Sequence, residues 1–189
     1  YVEAHANDGL LRLLMGEFDA GWQGYEWRWQ VKNRTDQPRA YHQPLWLGEA
    51  DLRGKRILLW SEQGFGDSIQ FSRYASKVAA LGAEVILEGP VVLKPLLEPL
   101  SGVSEFVTQG SPLPAFDFHC PLLSLPLAFK TNLDTLSGQP YLTAPSERVA
   151  DWSKVLGKAT LPRVGMAWSG SKTNKPADKR SILLTRFIE

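Results

Sequence analysis

The sequence predicts an α/β fold with a Rossmann-like, mostly parallel sheet and flanking helices. Short apolar runs of buried-strand length recur between residues 54 and 160. Amphipathic stretches with helical spacing separate these runs. Strands that alternate with helices are joined by right-handed crossovers, which make neighbouring strands parallel. The predicted strands are residues 56–60, 84–88, 105–108 and 116–120.

Four segments are predicted along the chain. Residues 1–30 read as a pair of helices, because apolar residues recur at helical spacing before the stop signal Gly16. Residues 31–53 are rich in turn formers and predict a linker, and residues 54–160 form the α/β domain. An apolar run at 164–168 predicts one more strand, so residues 161–189 are interpreted as the start of a second domain. Because the chain lacks an initial Met and stops within an apolar run, we expect a piece of a longer protein.

Aromatic residues cluster in the second predicted helix. We expect them to pack the helical pair onto the α/β domain rather than to hold a cofactor. The residues are Trp22, Tyr25, Trp27 and Trp29.

Composition excludes several classes of protein. Hydrophobic residues make up 43% of the chain and charged residues 22%, as in soluble globular domains. The net charge is +1 without blocks of like charge, so we expect no nucleic-acid or membrane-surface partner. The single cysteine, Cys120, excludes a disulfide framework and a cysteine-based zinc site. No membrane span or signal pattern is visible, and the predicted location is cytoplasmic.

The loop after the first strand, residues 62–67, is the strongest candidate for a functional centre. A strand that enters a glycine turn and then a helix exposes backbone N–H groups at the helix start. A dinucleotide site is one interpretation, and Glu88 follows Gly66 by the 22 residues that it requires. Two features disfavour it: Ile69 stands where the third glycine is needed, and Asp67 would repel a pyrophosphate.

Asp67 itself has two interpretations. As a structural residue, it caps the following helix and contributes about 1 kcal/mol. As a chemical group, it is a carboxylate at the carboxyl end of a parallel strand, where open α/β sheets bind ligands. There it could take a proton from a nucleophilic hydroxyl. The residues alone leave both interpretations open.

Two further groups of polar residues are candidates. A loop of small residues and cations follows the strand predicted at 164–168, and it suits phosphate binding or a plain exposed basic loop equally. Its residues are Ser169, Gly170, Ser171, Lys172 and, further on, Arg180. His119 and Cys120 adjoin at a strand end, and we interpret them as a hydrogen-bonded imidazole and a buried thiol rather than metal ligands.

Several motifs resemble those of a known group of proteins. Residues 1–30 resemble one tetratricopeptide (TPR) repeat, although His5 and Arg28 depart from its usual pattern. The runs at 25–29, 44–46, 62–74, 120–126 and 168–170 resemble bacterial TPR-containing glycosyltransferase-like proteins. Such proteins are similar to heptosyltransferases and, more distantly, to O-GlcNAc transferases.

The resemblance implies a GT-B architecture, in which two Rossmann-like domains face each other across the active-site cleft. It implies that Asp67 is the catalytic base. The acceptor-side loop would comprise Gln63, Gly64, Gly66 and Gln70. The donor phosphates would be bound by Ser169, Gly170, Ser171, Lys172 and Arg180. No metal and no cofactor are implied, because the nucleotide sugar is a substrate and cations stabilise its leaving diphosphate.

The resemblance therefore predicts a fragment of a sugar transferase that takes a nucleotide-sugar donor and an acceptor of unknown identity. The fragment would be inactive alone, because most of the donor domain would follow residue 189. The alternative is an interaction scaffold, in which residues 1–30 bind a protein partner and the α/β part has lost catalysis. Whether the parent is an enzyme stays open at this stage.

Overall fold

The computed structural model describes residues 1–32, 37–166 and 184–187. The chain divides into two units, Tyr1–Pro145 and Ser146–Glu189. The first unit contains the sheet and the N-terminal helices, and the second contains a helix and the segment after it. Each unit is described by itself.

Four parallel strands form the sheet, in the order β3-β2-β1-β4. The apolar runs of the sequence predict all of them to within about two residues. In the central register, Leu58 lies between Ile86 on one side and His119 on the other. The strands are β1 (Arg56–Trp60), β2 (Glu84–Gly89), β3 (Val103–Thr108) and β4 (Phe118–Pro121). The predicted parallel α/β architecture is confirmed, and it is consistent with a Rossmann-like fold.

Short helices connect the strands. A 3-10 turn at Ser72–Tyr74 divides the helix predicted between the first two strands into two. Two N-terminal helices, α1 (Val2–Met15) and α2 (Phe18–Tyr25), come first in the chain. The helices of this part are α3 (Phe65–Phe71), α4 (Ala75–Ala79), α5 (Lys94–Leu97) and α6 (Leu125–Ala128).

The two faces of the sheet are covered differently. Side chains alternate along a strand, so Ile57 and Leu59 face the helices, whereas Leu58 and Trp60 face the other way. The second face is covered by Trp29, by Tyr41 and by the 109–116 connection. Tyr41 of the predicted linker thus packs on this face, whereas Trp46 and Leu52 of the same segment pack in the core on the helical face.

The N-terminal helices pack closely together. Helix α1 (Val2–Met15) ends at Gly16, whose φ of 83° suits a left-handed cap, and helix α2 is Phe18–Tyr25. A Cβ added to Gly9 would lie 2.5 Å from backbone atoms of Gly24 and Tyr25. The contact therefore depends on glycine at this position. The structure confirms a helical pair but does not confirm the TPR identity predicted for it.

Aromatic side chains attach this pair to the α/β part. The Trp22 ring packs edge-on against Phe71, and its Nε1 donates to the Thr131 carbonyl at 2.8 Å. Trp29 packs on Trp60 at 5.5 Å between ring centroids. The predicted role of the aromatic residues is confirmed, except that Trp27 stacks on His5 within the helical pair.

The second unit begins with helix α7, Ser146–Leu156. The strand predicted at 164–168 is absent over residues 164–166, and its last two positions lie outside the described residues. The domain boundaries at residues 30, 53 and 160 stay predictions. No helix in the described ranges has the length and apolar character needed to cross a membrane.

Replacing Gly9 with alanine tests the helix contact. Alanine normally stabilises a helix interior by up to about 1 kcal/mol relative to glycine. At Gly9 the methyl group would meet backbone atoms at 2.5 Å, so we expect a loss of about 1–3 kcal/mol in the free energy of unfolding. Denaturant unfolding measures this loss.

The matched control is Gly66→Ala, in α3, where an added Cβ meets nothing within 4 Å among the described residues. It should leave stability unchanged or slightly raised. Equal effects of the two substitutions would show that the α1–α2 contact does not limit residue size.

Candidate functional site

The carboxyl edge of the sheet has a switch point between β1 and β4. The chain proceeds from β1 to β2 and β3 on one side, and β4 then pairs with the opposite side of β1. Open α/β sheets bind ligands outside the carboxyl ends of strands at such a point. Ser61 and Glu62 follow β1 there, and a 3-10 turn, Leu122–Ser124, follows β4. The side chains that pack against these two loops determine how much of the crevice is open to a ligand.

Arg28 extends from the end of the helical pair into this switch point. Its guanidinium binds the Glu62 carboxylate through two hydrogen bonds, Nε to Oε2 at 3.2 Å and Nη2 to Oε1 at 2.8 Å. Nη2 also donates to Ser124 Oγ at 2.8 Å. Arg28 thereby joins the helical pair to the loops after both β1 and β4.

The ion pair is removed from water. The side chains of Arg28 and Glu62 are 1% and 0% exposed. A second carboxylate, that of Glu26, accepts from Arg28 Nη1 at 2.5 Å and from Ser124 Oγ at 2.8 Å. Burial alone would lower the pKa of Arg28, but its bonds to Glu62 and Glu26 raise it above the ordinary value. The guanidinium is therefore charged at any pH at which the protein folds.

The helical pair also binds the next residue of the loop. Gln63 Nε2 donates to the Tyr25 hydroxyl at 2.7 Å. Gln63 has a φ of 61°, in the left-handed region that non-glycine residues occupy rarely and at some cost in free energy. Glu62 and Gln63, which begin the candidate loop at residues 62–67, are thus both held by side chains of the N-terminal segment.

Asp67 lies at the start of α3, at the exposed rim of this edge. Its Oδ2 accepts a hydrogen bond from the Gly64 N–H at 2.9 Å, which is the structural role expected of a cap. Within the described ranges, no hydrogen bond reaches Oδ1, and the residue is partly exposed. The cap role is observed, and the role as a base stays a prediction.

The other predicted acceptor-side residues lie around Asp67. Gln63, Gly64 and Gly66 are exposed in the same loop, and Gln70 is exposed one helical turn later. An added Cβ at Gly66 would meet no described atom within 4 Å, so the loop is open to solvent there. The structure brings these residues together, whereas Ser169, Gly170, Ser171, Lys172 and Arg180 lie outside the described residues.

Glu88 is the penultimate residue of β2, near the position where a dinucleotide enzyme would place its ribose-binding acid. Its side chain is 4% exposed and forms an ion pair with Arg39. Arg39 also lies 4.6 Å above the centre of the Trp60 ring and donates to the Tyr41 hydroxyl. A carboxylate that is buried and already paired with a cation is poorly accessible to a ribose hydroxyl, so this geometry also disfavours the dinucleotide interpretation.

His119 and Cys120 have the environments that the sequence suggests. Trp60 Nε1 donates to His119 Nδ1 at 3.3 Å, which requires that nitrogen to be unprotonated. Burial, and then the positive charge of Arg39, lower the pKa of His119 below its ordinary value. Burial raises the pKa of the Cys120 thiol well above its ordinary value, so the thiol is unreactive. No metal-binding group of three or more His, Cys, Asp or Glu side chains occurs among the residues described.

Sequence reasoning missed the buried network of Arg28, Glu26 and Glu62. A signal was present, because Glu26 and Arg28 alternate with the aromatic residues of a run that is predicted to pack inward. A charge at such a position needs a buried partner. The identity of that partner was not visible, since Arg28 and Glu62 are 34 residues apart.

Comparison with known proteins gives limited information. No protein-family profile matches the chain, and no solved structure matches it. The chain is similar to Protein FlbA of Caulobacter vibrioides, with 29% identity over 183 residues. The match covers 86% of this chain and 30% of FlbA. The chain therefore spans less than a third of the length of that relative.

These findings correct the family assignment made from the sequence. The predicted membership of the TPR-containing glycosyltransferase-like proteins is wrong, because no family profile supports it and the name of FlbA does not describe such a protein. The structure supplies a physical reason. The motif residues Arg28 and Glu62 form a buried ion pair, and Asp67 caps a helix. Short motifs that meet such packing needs are weak markers of a family.

The Arg28 network can be tested by Arg28→Met. Because the change leaves the buried carboxylate of Glu62 and the partly buried carboxylate of Glu26 without their cation, we expect a loss of about 3–5 kcal/mol in the free energy of unfolding. The double variant Arg28→Met/Glu62→Met should recover part of that loss. Denaturant unfolding of these two variants and of Glu62→Met measures the coupling energy between the two side chains.

The control is Arg53→Met, which removes an exposed ion pair with Asp51 and should change stability little. If Arg28→Met were as mild as Arg53→Met, the buried network would not hold the site together.

His119 predicts a dependence of stability on pH. Its folded-state pKa is lowered, so the unfolded chain binds a proton more readily than the folded one. The contribution of His119 is complete above the unfolded pKa, near about 6.5, and is lost as the pH falls below it. Unfolding curves measured between pH 7.5 and about 5 should show His119→Asn losing less stability than the natural chain. The same change at the exposed His42 is the control, and an identical pH slope in all three proteins would refute the prediction.

Proposed function

We propose that this chain forms the acceptor side of a site that transfers a sugar from a nucleotide-sugar donor to a hydroxyl. The supporting observation is the position of Asp67, a partly exposed carboxylate at the carboxyl edge of a parallel sheet. One of its oxygens is held by the Gly64 N–H, which fixes the orientation of the group. The other oxygen has no hydrogen bond in the part of the chain described and is available to an incoming hydroxyl.

In the proposed reaction, Asp67 takes the proton of the acceptor hydroxyl as that oxygen attacks the anomeric carbon of the donor. The bond from the anomeric carbon to the phosphate oxygen breaks, and the nucleoside diphosphate leaves with the bonding electrons. The predicted phosphate-binding residues, Ser169–Lys172 and Arg180, would stabilise that charge. The second, donor-binding domain of a GT-B arrangement is part of the same proposal.

A second candidate is a protein-interaction scaffold without catalysis. The observation that favours it is the exposed apolar surface of α1, because monomeric proteins rarely expose several neighbouring apolar side chains. Leu10, Leu11, Leu14 and Met15 are 51%, 53%, 85% and 59% exposed. Titration of the natural protein with nucleotide sugars separates the candidates, because a pure scaffold binds none of them.

Asp67→Asn tests the proposed base, since asparagine keeps an oxygen that can cap the helix but cannot accept the proton. We expect nucleoside diphosphate release from the nucleotide sugar by the natural protein to fall by about 10²- to 10⁴-fold, with the fold unchanged. Release is measured with and without candidate acceptors.

The matched control is Asp117→Asn. Asp117 Oδ2 accepts from the Arg56 N–H at 2.9 Å, which is also a bond from a backbone N–H to a carboxylate, but it lies at the amino end of β1. Asp117→Asn should leave the release of nucleoside diphosphate unchanged. Full activity of Asp67→Asn would refute the base assignment, and failure of the natural protein to bind any nucleotide sugar would refute sugar transfer itself.

A further inference from the structure

A cavity lies between the helical pair and α3, beside the candidate site. Its volume is about 270 Å³. Aromatic rings form much of its wall: Trp22 stacks on Phe18 and meets Phe71 edge-on, with ring centroids 6.5 Å apart in both pairs. Leu13 and Leu136 complete the apolar lining. We call this space the ring cavity.

The floor of the ring cavity has no unsatisfied polar groups. The Tyr74 hydroxyl and Thr131 Oγ1 are hydrogen-bonded to each other at 2.8 Å. The Trp22 indole N–H donates to the Thr131 carbonyl, also at 2.8 Å. Water inside would find few partners, so the interior favours an apolar group.

Three polar side chains, those of Gln70, Arg73 and Asn132, line the cavity where it is partly exposed to solvent. Gln70 is exposed, and its side chain makes no hydrogen bond to any residue that the structure describes. Asn132 Oδ1 accepts from the N–H groups of Asp134 and Thr135, and its amide nitrogen is left for another partner. A ligand that fits is therefore apolar at its inner end and polar where it leaves the cavity.

The shape and lining favour one aromatic ring. Engineered apolar cavities of about 150 Å³ hold a benzene molecule, so 270 Å³ accommodates one ring with a short linker. A ring entering beside Phe18, Trp22 and Phe71 would continue their stacked and edge-on arrangement, which aromatic pairs prefer.

The ring cavity is connected to the candidate site through α3. Gln70, at the rim, follows Asp67 by three residues and so lies on the same side of the helix. Three residues advance about 4.5 Å along a helix. A single small molecule, or one residue and its neighbour in a peptide, can span the distance between the two positions.

We propose that the ring cavity binds an aromatic ring of the acceptor and thereby places the acceptor hydroxyl near Asp67. The acceptor role rests on the function proposed above, whereas ring binding itself does not. The substrate class is a hydroxyl compound that carries one aromatic ring within about one helical turn of the reacting oxygen. The ring supplies binding energy, and the rim amides orient the polar linker.

Direct binding tests the proposal without any sugar donor. The probe is 4-ethylphenol, titrated by calorimetry into the natural protein, with 4-ethylcyclohexanol as the non-aromatic analogue. We expect 4-ethylphenol to bind at least tenfold more tightly than its analogue. Leu136→Trp should fill the cavity from its rim and weaken 4-ethylphenol binding at least tenfold.

The control is Leu133→Trp, which adds the same ring to the same loop at an exposed residue that does not line the cavity. It should leave the affinity unchanged. No binding of 4-ethylphenol, equal binding of the analogue, or equal binding by Leu136→Trp would overturn the ring cavity. Ring binding together with a fully active Asp67→Asn variant would instead overturn the function proposed for Asp67 and leave the ring cavity intact.

Discussion

The buried ion pair between Arg28 and Glu62 is the interaction on which the rest of this structure depends. Two charges without water are costly unless they are paired with good geometry and further hydrogen bonds. Here the carboxylate receives two hydrogen bonds from the guanidinium, and Ser124 adds a third contact from the loop after β4. Three separate parts of the chain must therefore be in place before the pair is satisfied. The pair joins the helical segment to the sheet, in agreement with the single compact unit Tyr1–Pro145.

The same pair determines where a ligand can bind. In open α/β sheets the crevice at the switch point is the usual binding place, but here the side chain of Arg28 fills it. The available surface is displaced outward to the exposed loop that ends at Asp67 and to the cavity beside α3. The bond between Tyr25 and Gln63 fixes the beginning of that loop in a conformation that is costly in isolation. The helical segment thus fixes the conformation of the candidate loop, although other elements supply part of the lining of the site.

The sequence predicts the sheet well and the site only in part. Buried parallel strands are continuous apolar runs, so residues 56–60 and 84–88 are visible without knowledge of their partners. The loop at Asp67 is visible because a strand, a glycine turn and a helix follow one another locally. The partner of Arg28 was not predictable, because it depends on a contact across 34 residues. The resemblance that suggested a family came from residues whose packing roles are now apparent. The strand predicted at 164–168 is not formed over its described residues, 164–166.

We expect the helical pair and the sheet to unfold in one step, because the Arg28 network joins them. Native-state hydrogen exchange at increasing denaturant measures this directly, residue by residue. The account predicts that interior amides of α1, around Leu13, and those of β1, around Leu58, exchange through an opening of the same free energy and the same denaturant dependence. Exchange of the α1 amides through a smaller opening, while β1 stays protected, would contradict it.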